Sequence, residues 1–323
     1  MFAQAAYRGV RVERRMRRAR YWRVIVSAVI AATPVFADDR SDCDQSGDSA
    51  LRIRACSAVL SRSANDVQAL FNRANALALF NAHAEAIKDY SAAIEFAPNE
   101  AVIYLNRADS LVALDQNKSA VADIERAVAL TNPSQTSLLA IAFNTRGRAH
   151  GNMEEKEQAL AAFATALKHE PKFASAYMNR GYFLSEWGQQ DQAIADFDAS
   201  LKIDPNNAGG HYNRALANRR KGDHREAISD ATNALKISPK FASAYLIRGN
   251  ANISIGANDA ALADLAAAIE IDQDCARCYV SRGKAFEAKG EREKAVADYR
   301  KALAINPNDT RAKEALDLWT SRK

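Results

Sequence analysis

Residues 174–207 read ASAYMNRGYFLSEWGQQDQAIADFDASLKIDPNN, and residues 208–241 read AGGHYNRALANRRKGDHREAISDATNALKISPKF. Aligned without a gap, Gly181 stands over Ala215, Ala193 over Ala227, Ser200 over Ala234 and Pro205 over Pro239. The register extends both ways. Pro98, Asn132, Pro171, Pro205, Pro239, Gln273 and Pro307 follow one another at 34 residues, with a single step of 39 around Pro133–Ser137. In every copy a large residue (Leu70, Tyr104, Phe143, Tyr177, His211, Tyr245, Tyr279) precedes a small one by four (Ala74, Ala108, Gly147, Gly181, Ala215, Gly249, Gly283). Alanine follows the small residue after twelve positions in all seven copies, from Ala86 to Ala295. Seven residues further on, six of the seven copies have Ala again; Ser200 is the exception.

Apolar residues recur at three- and four-residue intervals in two blocks per copy, the signature of two amphipathic helices. Gly-, Asn- and Asp-rich stretches such as Trp187-Gly188-Gln189 and Lys221-Gly222-Asp223 separate the blocks, so the two helices fold back antiparallel. Small residues on one helix facing alanine on the next allow close backbone approach. The recurrent proline ends a copy, since it interrupts a helix interior but fits the start of another. Composition agrees: 48% hydrophobic and 26% charged residues exclude a disordered chain, and 13 Gly and 7 Pro are too few for a loop-rich β fold.

These offsets resemble the tetratricopeptide repeat family, over seven tandem copies from Asn65 to Pro307. The resemblance implies an all-α, right-handed superhelical solenoid of seven helix-turn-helix units whose concave face binds proteins or peptides. Helices are predicted over Ser49–Ser61 and Thr310–Ser321, so residues 38–64 and 308–323 read as capping segments of the solenoid. In the fifth copy His211 replaces the aromatic and Ala231 stands where other copies carry Tyr90, Ile124, Phe163, Phe197, Leu265 or Tyr299. Looser packing is expected there.

The amino terminus reads as an address. Arg17–Arg23 is basic, Val24–Ala32 is almost wholly apolar, and Val35-Phe36-Ala37 precedes Asp38, the order of a cleavable secretory signal over residues 1–37. Its apolar core is about nine residues, well short of the roughly 20 that span a bilayer. Met16 through Ala37 is a compact signal by itself, which makes Met16 an alternative start. The sequence thus predicts an exported chain, periplasmic in a Gram-negative source, with no stable membrane insertion after cleavage. These 37 residues hold eight Arg against one Glu, so of the formal charge of +5 the rest of the chain carries −2. Its basic balance therefore gives no reason to expect a nucleic-acid partner.

Four cysteines suit an oxidising compartment. Pairing Cys43 with Cys56 would close a short loop, worth about 3 kcal/mol. Cys275 and Cys278 form a Cys-x-x-Cys at a predicted helix start, open to two readings: a redox or metal site, or a local disulfide or incidental pair.

An arginine precedes each small residue (Arg73, Arg107, Arg146, Arg180, Arg214, Arg248, Arg282). Sixteen residues later stands Asp89, Asp123, Asp196, Asp230, Asp264 or Asp298, with Ala162 in the third copy. Internal neutralisation is expected, leaving Arg146 available to a ligand. One position earlier runs a second ladder, Asn72, Asn106, Thr145, Asn179, Asn213, Ile247 and Ser281. The family resemblance places this position on the groove, where an amide supplies both donor and acceptor to a ligand backbone. Phe71, Leu105, Met178, Tyr182 and Tyr212 would add apolar pockets beside it. The residue before the ladder is never Lys, a departure from the branch of the family that grips acidic chaperone tails.

No Gly-rich phosphate loop, nucleophile elbow or His-Glu-x-x-His occurs, and the five histidines are scattered. The sequence thus predicts a non-enzymatic, cofactor-free scaffold or assembly factor for a protein or peptide. The alternatives are a thiol-disulfide protein using Cys275 and Cys278, and a structural module that self-associates.

Overall fold

Helix pairs form wherever the 34-residue pattern runs. The computed structural model describes residues 39–320; the signal segment assigned to residues 1–37 lies outside them. Among the described residues there are seventeen helices and no strand. Helices α1 (Asp39–Gln45) and α2 (Ser49–Arg62) come first. Seven pairs follow: α3 (Val67–Leu79) with α4 (His83–Phe96), α5 (Ala101–Ala113) with α6 (Asn117–Leu130), α7 (Thr136–Asn152) with α8 (Lys156–His169), and α9 (Ala174–Glu186) with α10 (Gln190–Ile203). The last three are α11 (Ala208–Lys221) with α12 (His224–Ile237), α13 (Ala242–Ser254) with α14 (Asn258–Ile271), and α15 (Ala276–Ala288) with α16 (Arg292–Ile305). Helix α17 (Thr310–Thr320) ends the chain's described part.

The helices gather into two compact units divided between Pro171 and Lys172. In each, a second helix packs between its own first helix and the first helix of the next repeat. Successive first helices also touch, α3 with α5 and α5 with α7 in one unit, α9 with α11 through α13 with α15 in the other. Each unit therefore presents a row of adjoining first helices on one side.

Small residues set the spacing of each pair. Ala74, Ala108 and Ala215 are fully buried, as are the alanines at the second-helix positions from Ala86 to Ala295. Where the facing residue is a large ring, the first helix has no room for a methyl group. A Cβ on Gly147 would lie 2.7 Å from Phe163, and one on Gly283 would lie 2.6 Å from Tyr299.

The fifth repeat corrects the expectation of loose packing. Ala231 is fully buried and clusters with Ala215 and with Ile247 from the next first helix, against Tyr212 and Leu216. Ile247 is the ladder position that departs furthest from asparagine. It supplies, from the neighbouring repeat, the volume that Ala231 lacks.

The turn inside each pair needs one residue at positive φ. The four repeats of the second unit use Gly188, Gly222, Gly256 and Gly290, while Asn81, Asp115 and Glu154 occupy the site in the first. Glu154, at φ 65°, is the poorest choice, because its Cβ crowds the carbonyl there. Glu154→Gly is expected to stabilise by about 0.5 kcal/mol, the relief of about 1 kcal/mol being partly offset by a more flexible unfolded chain. Thermal denaturation checks this as a rise in Tm of about 1 °C.

The amino-terminal segment is tied down. The sulfurs of Cys43 and Cys56 lie 2.10 Å apart, as a disulfide. Arg40 pairs with Asp66 at 2.5 Å and Arg62 with Asp39 at 3.0 Å. Asp48 caps α2 and Asp66 caps α3, each carboxylate accepting from the first backbone N–H groups. At the other end Asp309 accepts from the backbone N–H of Arg311 and Ala312, and Ala312 is buried. Burial alone would push the Asp309 carboxyl up, but the Arg311 guanidinium and these two N–H donors hold it below its ordinary range.

Candidate partner-binding face

Residues seven apart on a helix share a face. The side chains on the first-helix rows fall into three layers: a buried charge ladder, a seam between neighbouring first helices, and an exposed face.

The arginine ladder is the innermost. All six Arg–Asp pairs form as two-pronged ion pairs, with N–O distances of 2.5–3.1 Å. Hydrogen bonding to the aspartate raises Arg107, Arg180, Arg214 and Arg282 above their ordinary pKa, against the opposing effect of burial. Four of these guanidinium groups also lie 5.5–5.7 Å from the ring centre of the repeat's own tyrosine: Arg107 over Tyr104, Arg180 over Tyr177, Arg248 over Tyr245 and Arg282 over Tyr279. Several reach back as well to the preceding second helix. Arg73 bonds Ser57, Arg107 bonds Ser91, Arg214 pairs with Asp198, and Arg248 bonds Thr232. The ladder is a structural spine that staples three helices at a time.

Arg146 was expected to be free for a ligand. The structure instead places it 3.7 Å from Glu125 and 3.4 Å from His150 Nε2, while His150 Nδ1 contacts Glu155 at 2.6 Å. Glu125 occupies the backward position that Ser57, Ser91 and Asp198 hold elsewhere, once the five-residue insertion is counted. The missing aspartate has been replaced from behind.

The asparagine ladder lies mostly in the seam. Asn72 is buried; its Nδ2 donates to Asp44 on α1 at 3.1 Å and its Oδ1 accepts from Gln68 at 3.0 Å. Asn106 donates to Asn75 Oδ1 at 2.8 Å, which also accepts from the buried Tyr90 hydroxyl at 2.6 Å. Asn213 Nδ2 lies 3.5 Å from Met178 Sδ, and Asn179 is half-buried. Thr145, Ile247 and Ser281 are buried. Most of the apolar residues proposed as pockets follow the same pattern; Tyr182 stands instead at the repeat position of Asp109 and Arg148. Leu105 is buried, and Phe71 packs 6.2 Å from the Tyr90 ring. Met178 is half-buried where a Cβ on Gly210 would meet it at 2.8 Å. Tyr212 lies 4.9 Å from Phe241 with the rings tilted by 36°, and Tyr182 meets Phe183 edge-on at 5.3 Å. Asn72 and Leu105 are therefore not surface residues, because α1 covers Asn72 and Leu105 is buried in the core formed with its neighbouring helices.

The exposed face lies one strip further round. In the first unit it carries Leu79, Val102 and Ile141, at 73%, 39% and 43% exposure, with Asp109 and Arg148 paired across neighbouring repeats. In the second unit it carries Arg277 and Lys284, seven residues apart and both exposed, and the Arg220–Glu186 pair at 2.7 Å. The sequence held a signal for this face. Val102 and Ile141 occupy the same repeat position, outside the small-residue pattern, and are apolar without a packing reason.

The Cys275 and Cys278 sulfurs are 2.03 Å apart as a disulfide, and Cys275 Sγ caps α15 by accepting from Cys278 N–H at 3.2 Å. Cys278 is fully buried and Cys275 is 8% exposed, a packed setting rather than the accessible one a reactive thiolate needs. Among the described residues no group of three or more His, Cys, Asp or Glu is placed to hold a metal ion, and no helix is long and apolar enough to cross a membrane.

Models of the tetratricopeptide repeat match residues 47–101, 144–208, 212–274 and 276–309. The chain belongs to the tetratricopeptide repeat family, a class of proteins that generally serve as protein-interaction scaffolds. Solved structures share the fold. The Cut9–Hcn1 hetero-tetramer of the APC/C matches with TM-score 0.63 at 16% identity, over 83% of this chain and 52% of that one. The C-terminal part of a tetratricopeptide repeat protein from Cytophaga hutchinsonii matches with TM-score 0.57 at 19% identity, over 76% and 99%. A tetratricopeptide repeat protein from Parabacteroides merdae matches with TM-score 0.55 at 21% identity, over 79% and 98%. A comparison with curated proteins gives no match.

Proposed function

We propose that this protein is an extracytoplasmic scaffold or assembly factor that binds a protein or peptide, without covalent chemistry, on the exposed face of its first helices. The observation that carries the reading is the set of solvent-exposed apolar side chains Leu79, Val102 and Ile141 on first helices whose other faces are packed. Affinity then comes from burying these side chains. The secretory signal read over residues 1–37 supports export, as do two disulfides in a chain with no free cysteine among its described residues.

The test is affinity capture from the exported fraction, followed by titration of the captured partner. Val102→Asp with Ile141→Asp is expected to weaken binding by at least tenfold, which is about 1.4 kcal/mol, with the far-ultraviolet circular dichroism unchanged. Equal affinity in the double variant removes the face from the function. Amino-terminal sequencing of the exported protein tests the address, with Asp38 as the expected first residue.

A further inference from the structure

The two ends of the helix pairs in the second unit treat lysine differently. At the end that carries the turn inside each pair, lysines are matched: Lys221 pairs with Asp191 and Asp223, and Lys289 with Asp259 and Glu291. At the other end, where a second helix stops and the next first helix starts, Lys172, Lys202, Lys236 and Lys240 are exposed, and none pairs with a described carboxylate. Contacts across the repeats place the four on one continuous edge. Ser200, in the last turn of α10, donates to the Ala174 carbonyl at 3.0 Å, so Lys202 stands beside the loop that holds Lys172. The loop after α10 leads into α11, whose Tyr212 lies 4.9 Å from Phe241, the neighbour of Lys240. Lys236 precedes Lys240 by four residues. Among these cations, Ile203 and Ile237 end their helices at 39% exposure each. One exposed carboxylate, Asp204, opposes the four lysines, and the strip stops at the next repeat, where Glu270 and Asp274 are exposed. A lysine in the last turn complements the partial charge of a helix C-terminus, which accounts for Lys202 and Lys236. It does not account for Lys172 and Lys240, which lie in loops, or for exposed isoleucine beside them.

We infer that this edge rests on the surface of a membrane containing anionic phospholipid, with the four ammonium groups at the headgroup phosphates and Ile203 and Ile237 at the boundary of the acyl chains. The contact is adsorption, since no described helix is long and apolar enough to cross a bilayer. Lysine suits it, because its apolar stem lies along the interface while the charge stays with phosphate. Anionic headgroups attract each lysine near the surface, and the buried aliphatic area adds to that attraction. A soluble polyanion would use the cations alone and leave the isoleucines in water. Single-stranded nucleic acid also stacks on exposed aromatic rings, whereas the two phenylalanines of this edge, Phe173 and Phe241, are half-buried. All four lysines belong to the second unit, while Leu79, Val102 and Ile141 belong to the first, so the inference stands independently of the scaffold reading.

The test is co-sedimentation with vesicles of phosphatidylcholine, alone or mixed with phosphatidylglycerol. It uses the chain from Asp38, which holds every described helix and lacks the apolar segment Val24–Ala32. Binding to the anionic vesicles is expected to be at least about tenfold stronger than to the neutral ones, and to fall as salt rises. Lys172→Gln with Lys240→Gln is expected to lose about tenfold with Tm unchanged, since both residues lie in loops. Ile203→Ser with Ile237→Ser is expected to lose at least about threefold on the same vesicles. Lys118→Gln, an exposed lysine in the first turn of α6, leaves binding unchanged. Equal binding to both kinds of vesicle, no loss in the Lys172 and Lys240 variant, or an equal loss in Lys118→Gln would overturn the inference. So would isoleucine variants that keep their circular dichroism and bind vesicles as the parent does; if those variants lose helicity, the lysine variants decide alone. Tighter binding of the parent to an oligothymidylate or to a glutamate-rich peptide would also overturn it, making the edge a site for a soluble polyanion.

Discussion

Replacing Asp264 with alanine is expected to destabilise the protein by about 3 kcal/mol, the low end of the cost of breaking a buried ion pair. The geometry explains the size. Asp264 accepts from Arg248 Nε at 3.0 Å, from Arg248 Nη2 at 2.6 Å and from Asn252 Nδ2 at 3.1 Å, and its side chain is 8% exposed. Its loss leaves Arg248, 22% exposed over the Tyr245 ring, without a counter-charge, and leaves the buried Asn252 amide without its acceptor. The partner on the preceding helix, Thr232 Oγ1 at 3.0 Å, is uncharged and cannot substitute. Arg248→Met combined with Asp264→Leu removes both charges and keeps most of the volume. That pair is expected to lie within about 1 kcal/mol of the parent, since apolar replacement of a whole buried pair is often neutral. Thermal or urea denaturation of the three proteins gives the comparison. If the single and double variants are equally unstable, the ladder acts through packing and not through charge.

Ile247→Asn would make the asparagine ladder more regular, yet it is expected to cost about 3 kcal/mol, from a cavity plus a buried amide without a designed partner. Ile247 is 5% exposed and fills the space beside Ala215 and Ala231 that a large second-helix residue fills in other repeats. The decisive experiment is the double variant with Ala231→Leu, which restores bulk on the second helix as Leu265 does in the next repeat. Recovery of at least about 1 kcal/mol relative to additivity is expected, because the two sites share one volume. Additive losses would show that Ile247 and Ala231 are not exchanging the same space.

The two experiments also mark how far the sequence could be read. Helix pairs, their register, the insertion before α7 and the Arg–Asp neutralisation were all legible, because each depends on a spacing that a helix turns into adjacency. The partners of Arg146 were not, since Glu125 reaches it from the preceding repeat across the insertion and no in-repeat spacing contains it. Two of the groove residues lie deeper than expected for a similar reason. Asn72 and Leu105 occupy positions that are polar or apolar in keeping with a binding wall, but α1 covers Asn72, and Leu105 is buried within the core formed with its neighbouring helices.

The sequence by itself determined that the chain pairs its helices in 34-residue steps. A recurring small residue admits only close antiparallel helices, and this local rule needs no knowledge of the neighbours. Only the tertiary structure decided which side chains meet solvent. Adjoining first helices turn one strip of each helix into a seam, and leave Val102, Ile141 and Arg277 exposed. Whether a residue is seam or surface depends on the angle between repeats, which is set by the summed volumes of residues far apart in the chain.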